Sequence, residues 1–535
     1  MWAGLVTRSV GWTYTTDFRV TTERVNGGTP ITFAYDPDRL VTGVGALTLT
    51  RNPENGLLTG STLGNVTDSY TYSTFGEVRT YQATYSGTPQ LAIQYTRDTL
   101  GRIIEKTETL AGVTDTSAYT YDTVGRLTDV AKNGVAAAHY EYDANGNRLS
   151  VTRPGIGTVS GTYDAQDRLT AYGAVRYTYT ANGDLQTATS GGQTTTYTYD
   201  VSGNLISAIL PTGTQIEYVI DGQNRRIGKK VNGTLVQGFL YSGRLRPVAE
   251  VDGAGQIVSR FVYGTKSNVP EYFVKGGVTY RIVTDHLGSP RLVINTATGF
   301  VVQRLDFDEF GQILQDTNPG FQPFGFAGGL YDADTKLTRF GARDYDAFTG
   351  RWTAKDPIRF GGQDPNFYVY AGNDSLNVVD PSGLQYRDPA GGTTIGAYRE
   401  LYSWEGSPWK DPCQRNVLER AVDRVEGGIS KAAEELGNRN WGEDLHSGIE
   451  AVDQFMTDLN KIPAGEGKSW GNPKVPNLGG WVTGAAMVHG IVKDYANQLI
   501  QSDLPSSNGT DYPGSFPSQE GSSGDDTNAS TNITD

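Results

Sequence analysis

Tyr119-Thr-Tyr-Asp-Thr-Val-Gly-Arg-Leu127 decides how this chain is read, because it returns at once as Tyr140-Glu-Tyr-Asp-Ala-Asn-Gly-Asn-Arg148. Further copies are Tyr163-Asp-Ala-Gln-Asp-Arg-Leu169, Tyr177-Thr-Tyr-Thr-Ala-Asn-Gly-Asp-Leu185 and Tyr197-Thr-Tyr-Asp-Val-Ser-Gly-Asn-Leu205, with upstream versions starting at Tyr35, Tyr70 and Tyr95. Asp98, Asp122, Asp143 and Asp164 lie 24, 21 and 21 residues apart. A fixed spacing of this kind marks a repeat architecture rather than a single globular core.

Each unit carries its own folding instructions. Tyr and Thr alternate along a strand, which puts the rings on one face at a period of two. Asp opens a turn, where its carboxylate accepts a backbone N–H two residues on. Gly follows where a positive φ is wanted, and Arg, Asn or Asp then Leu, Val or Ile begin the return strand. Such a hairpin cannot bury its apolar face alone, so neighbours stack into one long sheet. These aspartates are read as turn residues and not as catalysts.

Composition agrees. Gly (68 residues) and Tyr (31) are abundant while the apolar fraction is only 37%, a mixture that suits many short strands with tight turns. The net charge is −14, and 12 basic against 22 acidic residues follow Leu384, so the array itself is nearly balanced. That acidity argues against nucleic acid as a partner of the shell. Cys413 is the single cysteine, which excludes an intrachain disulfide and leaves the redox compartment open. No apolar run approaches the length of a transmembrane helix. Met1 to Tyr14 lacks the basic and apolar regions of a signal peptide, so the expectation is another export route or a chain that is a piece of a longer product.

The repeats resemble the Rhs/YD-repeat family, which includes bacterial Rhs toxins, the BC component of Tc toxins and the teneurin shell. The likeness sharpens at Thr284-Asp-His-Leu-Gly-Ser-Pro-Arg291 and the Asp306–Gly311 turn. It then runs through Phe326-Ala-Gly, Gly341-Ala-Arg-Asp-Tyr-Asp346, Thr349-Gly-Arg-Trp352, Lys355-Asp-Pro-Ile358, Asn366-Phe-Tyr-Val-Tyr370 and Asp380-Pro-Ser-Gly-Leu384. The resemblance covers about residues 20 to 384. It implies a mainly β fold: a hairpin array wound as a complete or partial β-shell (1–283), then a repeat-associated core (284–384). It also implies a self-cut between Leu384 and Gln385, with Asp356 and Asp380 as the acidic pair and Arg343 as a supporting charge. Two carboxylates close together do not both ionise, so one keeps a proton while the other serves as base toward water. The chain departs from the family at Asn373-Asp-Ser375, where relatives carry Asn-Asn-Pro and the rigid turn that Pro supplies. His286 and His139 are read as structural, and no cofactor or metal is expected.

Composition changes after Leu384. Apolar spacing predicts helices within Asp411–Leu459, from Ile449 to Ile462 and from Gly480 to Gln501. A small, mainly helical domain (385–501) and a disordered Ser/Gly/Asn/Asp-rich tail (502–535) are therefore expected. The favoured reading is a secreted or cell-surface bacterial toxin fragment whose shell holds this C-terminal passenger until cleavage. An immunity protein, a secretion apparatus and surface carbohydrate are its possible partners. The alternatives are a surface adhesion or structural protein without enzymatic activity, and an orphan C-terminal piece.

Overall fold

The computed structural model describes residues 9–362 and 364–389. All of them fall in one compact unit, Met1–Trp404. The expected helices and tail lie outside the described residues. Among the described residues no α-helix is found, and three short 3-10 turns interrupt the strands.

The array forms a 30-stranded sheet. From Val10–Tyr14 to Ile313–Asp316, every strand pairs antiparallel with its neighbours in the chain. Period-two alternation sorts the two faces. In Val135–Tyr142 the buried positions are Ala138 and Tyr140, with His139 and Glu141 exposed, and in Gln193–Tyr199 Tyr197 is buried beside exposed Thr198. The exposed face carries cross-strand Thr pairs, such as Thr71 with Thr80 at 2.6 Å and Thr178 with Thr187 at 2.6 Å. A β-branched hydroxyl suits a pleated, wet surface of this sort.

The YD turn has the anticipated chemistry and more. Asp122 Oδ1 accepts the N–H of Val124 at 3.0 Å and of Arg126 at 2.9 Å, while Oδ2 takes Arg126 Nε at 2.6 Å. Asp98, Asp164 and Asp221 repeat this with Arg102, Arg168 and Arg225. Asp143 and Asp200 use Asn147 and Asn204. Gly125 has φ 94°, and Asp167 and Asn224 occupy the same left-handed position with φ 58° and 59°. The tyrosine before each Asp ties one repeat to the last. Tyr142 Oη donates to Leu127 O at 2.8 Å and Tyr163 Oη to Arg148 O at 2.7 Å. The turn arginine stacks on the next tyrosine, with Arg126 4.9 Å from the Tyr142 ring centre.

The ribbon also turns back on itself. Arg281 bonds Asp68 at 2.5 Å, Arg291 bonds both Glu108 oxygens at 2.6 and 2.8 Å, and Arg260 reaches Glu23 at 3.2 Å. Val66, Ala83, Leu91 and Ile93 share one apolar cluster with Val283, Leu292 and Ile294. The late strand Pro290–Asn295 is consequently buried at five consecutive positions. Its unbroken Pro-Arg-Leu-Val-Ile run fits a strand covered on both sides. Arg291 of the Thr284–Arg291 segment is one of these cross-links.

Past the long sheet, a small sheet of Leu330–Tyr331, Leu337–Phe340, Arg343–Asp346 and Arg351–Trp352 begins the core. It lies against the row of YD turns. Arg339 bonds Asn204 at 2.6 Å, Arg351 bonds Asn147 at 2.9 Å, Asn366 bonds Asn147 at 2.8 Å and Asn373 bonds Gly146 O at 2.8 Å. Free amide and carbonyl groups at the turn tips thus become the docking surface for the core.

Candidate functional site

Phe326, Phe340, Tyr345, Trp352 and Tyr370 pack into one aromatic cluster, with the Tyr345 and Tyr370 ring centres 4.4 Å apart. Arg343 lies on its edge, the guanidinium 4.1 Å from the Trp352 ring centre. It is 4% exposed, so its five donors must find acceptors within the protein. Arg343 Nη2 meets Asp356 Oδ2 at 2.8 Å and Asp380 Oδ2 at 3.3 Å. Nε donates to Gly383 O at 2.6 Å and Nη1 to Phe367 O at 3.2 Å. One buried cation therefore joins both aspartates to the backbone next to Leu384.

Asp380 opens a turn of the YD type. Gly383 has φ 67° and its N–H donates to Asp380 O at 3.3 Å. Asp380 Oδ1 accepts Ser382 Oγ at 2.9 Å, Leu384 N–H at 3.1 Å and Gln385 N–H at 3.2 Å. Pro381 stands one residue after the Asp, and the Ser382 hydroxyl takes the place of the N–H two residues on. Leu384 stands where the repeats carry Arg or Asn. Backbone bonds between Val379 and Arg387, at 2.9 and 2.8 Å, close the loop containing Leu384 and the exposed Gln385. Asp356 opens a second such turn, its Oδ1 accepting Ile358 N–H at 2.9 Å. Gly362 sits between the two parts: a Cβ there would collide with Asp356 Oδ2 and press on Leu384 O. Only glycine lets that carboxylate and that carbonyl approach each other.

Electrostatics separates Asp356 from repeat aspartates such as Asp122, which ends below its ordinary value. Burial pushes the Asp356 carboxyl up, and the negative charge of Asp380 adds to it against the pull of Arg343. Burial lowers Arg343, but from so high a value that it stays charged. The structure thus brings together every residue singled out in the sequence: Asp356, Asp380, Arg343, Leu384 and Gln385. It adds Asp364, which lines the same cleft and is pushed up by burial. The available signal was repetition, since Asp364-Pro365 is one of three Asp-Pro pairs between Asp356 and Pro381.

The departure at Asn373-Asp-Ser375 is held without a proline. Asn373 adopts φ 60°, and Ser375 Oγ donates to Glu309 O at 2.6 Å. His286 is half-buried and bonded at both ring nitrogens. Nε2–H donates to Leu376 O at 2.7 Å, which leaves Nδ1 to accept from Tyr95 Oη at 2.9 Å. Burial lowers it to about 4, as befits a neutral cross-link between sheet and core. His139 is half exposed beside Asp129 at 2.6 Å. Among the described residues no helix is long and apolar enough to cross a membrane, and no His, Cys, Asp or Glu cluster is arranged for a metal ion.

Known proteins can now be set beside this geometry. The teneurin YD-shell family model matches residues 3–376, ending just short of Asp380. Teneurin-4 of Mus musculus is 29% identical over 369 residues, covering 66% of this chain. Teneurin-1 of Gallus gallus is 30% identical over 258 residues, covering 45%. The chain spans only 13% and 9% of the lengths of these relatives. The Photorhabdus luminescens Tc holotoxin pore, solved with a TccC3 mutation, aligns with a TM-score of 0.59 at 17% identity, over 71% of this chain and 21% of its own. That likeness is one of fold. With hairpins, turn chemistry and the family match in agreement, the chain belongs to the teneurin YD-shell family.

Proposed function

We propose that this chain is a secreted or cell-surface Rhs-type shell that cuts itself between Leu384 and Gln385, releasing residues 385–535 as a passenger held by the shell. The observation that carries the reading is the grip of Asp380 Oδ1 on both amides flanking that bond, beside a second buried carboxyl that shares Arg343. Asp356, raised by burial, is the acid that donates a proton to the Leu384 carbonyl oxygen. Asp380, whose carboxyl faces Arg343 and three donors, is the base. It takes a proton from water as the water oxygen attacks the Leu384 carbonyl carbon. That proton then passes to the Gln385 nitrogen, the C–N bond breaks, the protonated Leu384 oxygen returns its proton to Asp356, and a Leu384 carboxyl and a Gln385 amine result. Arg343 holds Gly383 O and so fixes the peptide against the acids. An immunity protein for the passenger and an export partner for the shell belong to the same reading.

The test is a denaturing gel of the expressed full chain. Fragments of 384 and 151 residues are expected, and Asp356→Asn or Asp380→Asn should leave a single band. An intact wild-type chain would sink the protease and favour the surface structural reading instead.

A further inference from the structure

The cleft around Asp356 and Asp380 holds three carboxylates and one guanidinium. Asp364 lines it with Arg343, Asp356, Asp380 and Tyr386. Its Oδ1 accepts the N–H of Asn366 at 2.9 Å, which anchors the side chain at the cleft wall. Among the described residues Asp364 makes no ion pair, whereas Arg343 is already committed to the other two acids and to two carbonyl groups. Arg351, the next cation, donates to the neutral Asn147 Oδ1 and Asp167 O and acts on Asp364 only through space. An acid with this placement is not needed to neutralise Arg343, and its turn would close as well with asparagine.

Resting on the self-cleavage reading, we propose that Asp364 is a positioning residue that keeps the reaction's proton on Asp356. With Asp356, Asp380 and Asp364 all ionised, three negative charges face the one guanidinium bonded among them, and Arg351 offsets Asp364 only through space. Retaining one proton lowers that excess. Asp356 is the member placed to use it, since its Oδ2 shares the open face of Gly362 with Leu384 O. Asp380 is already occupied, its Oδ1 by three donors and its Oδ2 by Arg343. The groups facing Asp356 are then Arg343, which opposes protonation, Asp380 and Asp364, which favour it, and Tyr386, neutral at working pH because burial raises its phenol. Asp364 acts only by its charge and touches neither the water nor the Leu384–Gln385 bond.

The full chain is synthesised in a cell-free system, translation is stopped, and the fraction cut is followed on a gel after transfer to buffers of different pH. Wild-type cleavage is expected to fall on the alkaline side as Asp356 loses its proton. In Asp364→Asn, which retains the acceptor for the Asn366 amide, that descending limb should move to lower pH by about one unit, making neutral-pH cleavage roughly tenfold slower. The rate at the acid end should be unchanged, and Asp364→Glu should restore the wild-type limb. A limb in Asp364→Asn that superimposes on wild type overturns the inference. So does a uniform loss of rate at every pH, which is what a merely structural residue would give. Thermal unfolding of each variant confirms that it folds, with Asp364→Ser as the second uncharged variant. A wild-type chain uncut at every pH overturns the protease reading itself, an outcome distinct from either of these.

Discussion

The turn at Asp122 and the turn at Asp380 are built alike and draw their counter-charge from different places. Both place a residue with positive φ three positions after the aspartate, and both use Oδ1 to hold the N–H four positions on. In the repeat, that fourth residue is Arg126, which brings a private cation. Burial pushes Asp122 up, but the amide and guanidinium of Arg126 outweigh it, and the carboxyl ends below its ordinary value. In the core, the fourth residue is Leu384, and Asp380 must share Arg343 with Asp356. The fourth residue of a repeated turn thus decides whether its aspartate has a private cation. The turns with Asn147, Asn204 and Gln312 also lack one, but at Asp380 a second aspartate shares the cation that remains.

That contrast predicts very different costs for losing an arginine. Arg343→Met leaves two buried carboxylates and the Gly383 and Phe367 carbonyl groups without their donor. A broken buried pair typically costs about 3–5 kcal/mol. Denaturant unfolding should show a loss of that order, and the gel should show no cleavage. A variant that unfolds like wild type would mean that the aspartates simply take up protons and need no cation.

Arg126→Gln tests the other side. The Asp122–Arg126 pair is about one-fifth exposed, so most of its charge attraction is screened. What is lost is one ion pair, the stacking over Tyr142 and the bond from Nη1 to Asp143 O at 2.6 Å. Glutamine can still reach the Asp, as Asn147 and Asn204 do at their own turns. The expected loss is about 1 kcal/mol with cleavage intact. A loss as large as that of Arg343→Met would erase the distinction between stapling and reactive turns.

How far each region was legible in the sequence follows from the range of its interactions. The repeat hairpin was readable because Tyr, Asp, Gly and Arg act within a few residues of one another. The reach of Tyr142 to Leu127 O was not, since a hydroxyl's partner one strand away leaves no mark at fixed local spacing. Nor was the return of the ribbon, where Arg281 finds Asp68 and Arg291 finds Glu108 across more than 180 positions. At the core, the residues alone gave Asp-Pro turn openers at Asp356 and Asp380. Their convergence on Arg343 was inferred from family likeness, and Asp364 escaped because an Asp-Pro pair reads as an ordinary turn opener until its burial is seen.

The smallest effect comes from putting the missing cation back. Asp308 opens a YD-type turn in which Gln312 occupies the fourth position, its N–H donating to Asp308 Oδ1 at 2.8 Å. Arg153 lies 3.0 Å away, yet burial and neighbouring Glu309 push Asp308 up to about 6. A carboxyl raised in the folded state binds its proton more tightly there than in the unfolded chain. Its contribution to stability is therefore fully present below the ordinary carboxylate value, near 4, and is lost as pH rises through about 6. Gln312→Arg supplies the private cation of the repeats at an exposed position, and should bring Asp308 down toward Asp122's state. Unfolding midpoints between pH 4 and pH 7 should then fall less steeply than in wild type, with a gain under ~1 kcal/mol at pH 7. An unchanged slope would show that burial, and not the residue four positions on, decides the charge of these turns. The difference between Asp122 and Asp380 would then have to be assigned to depth alone.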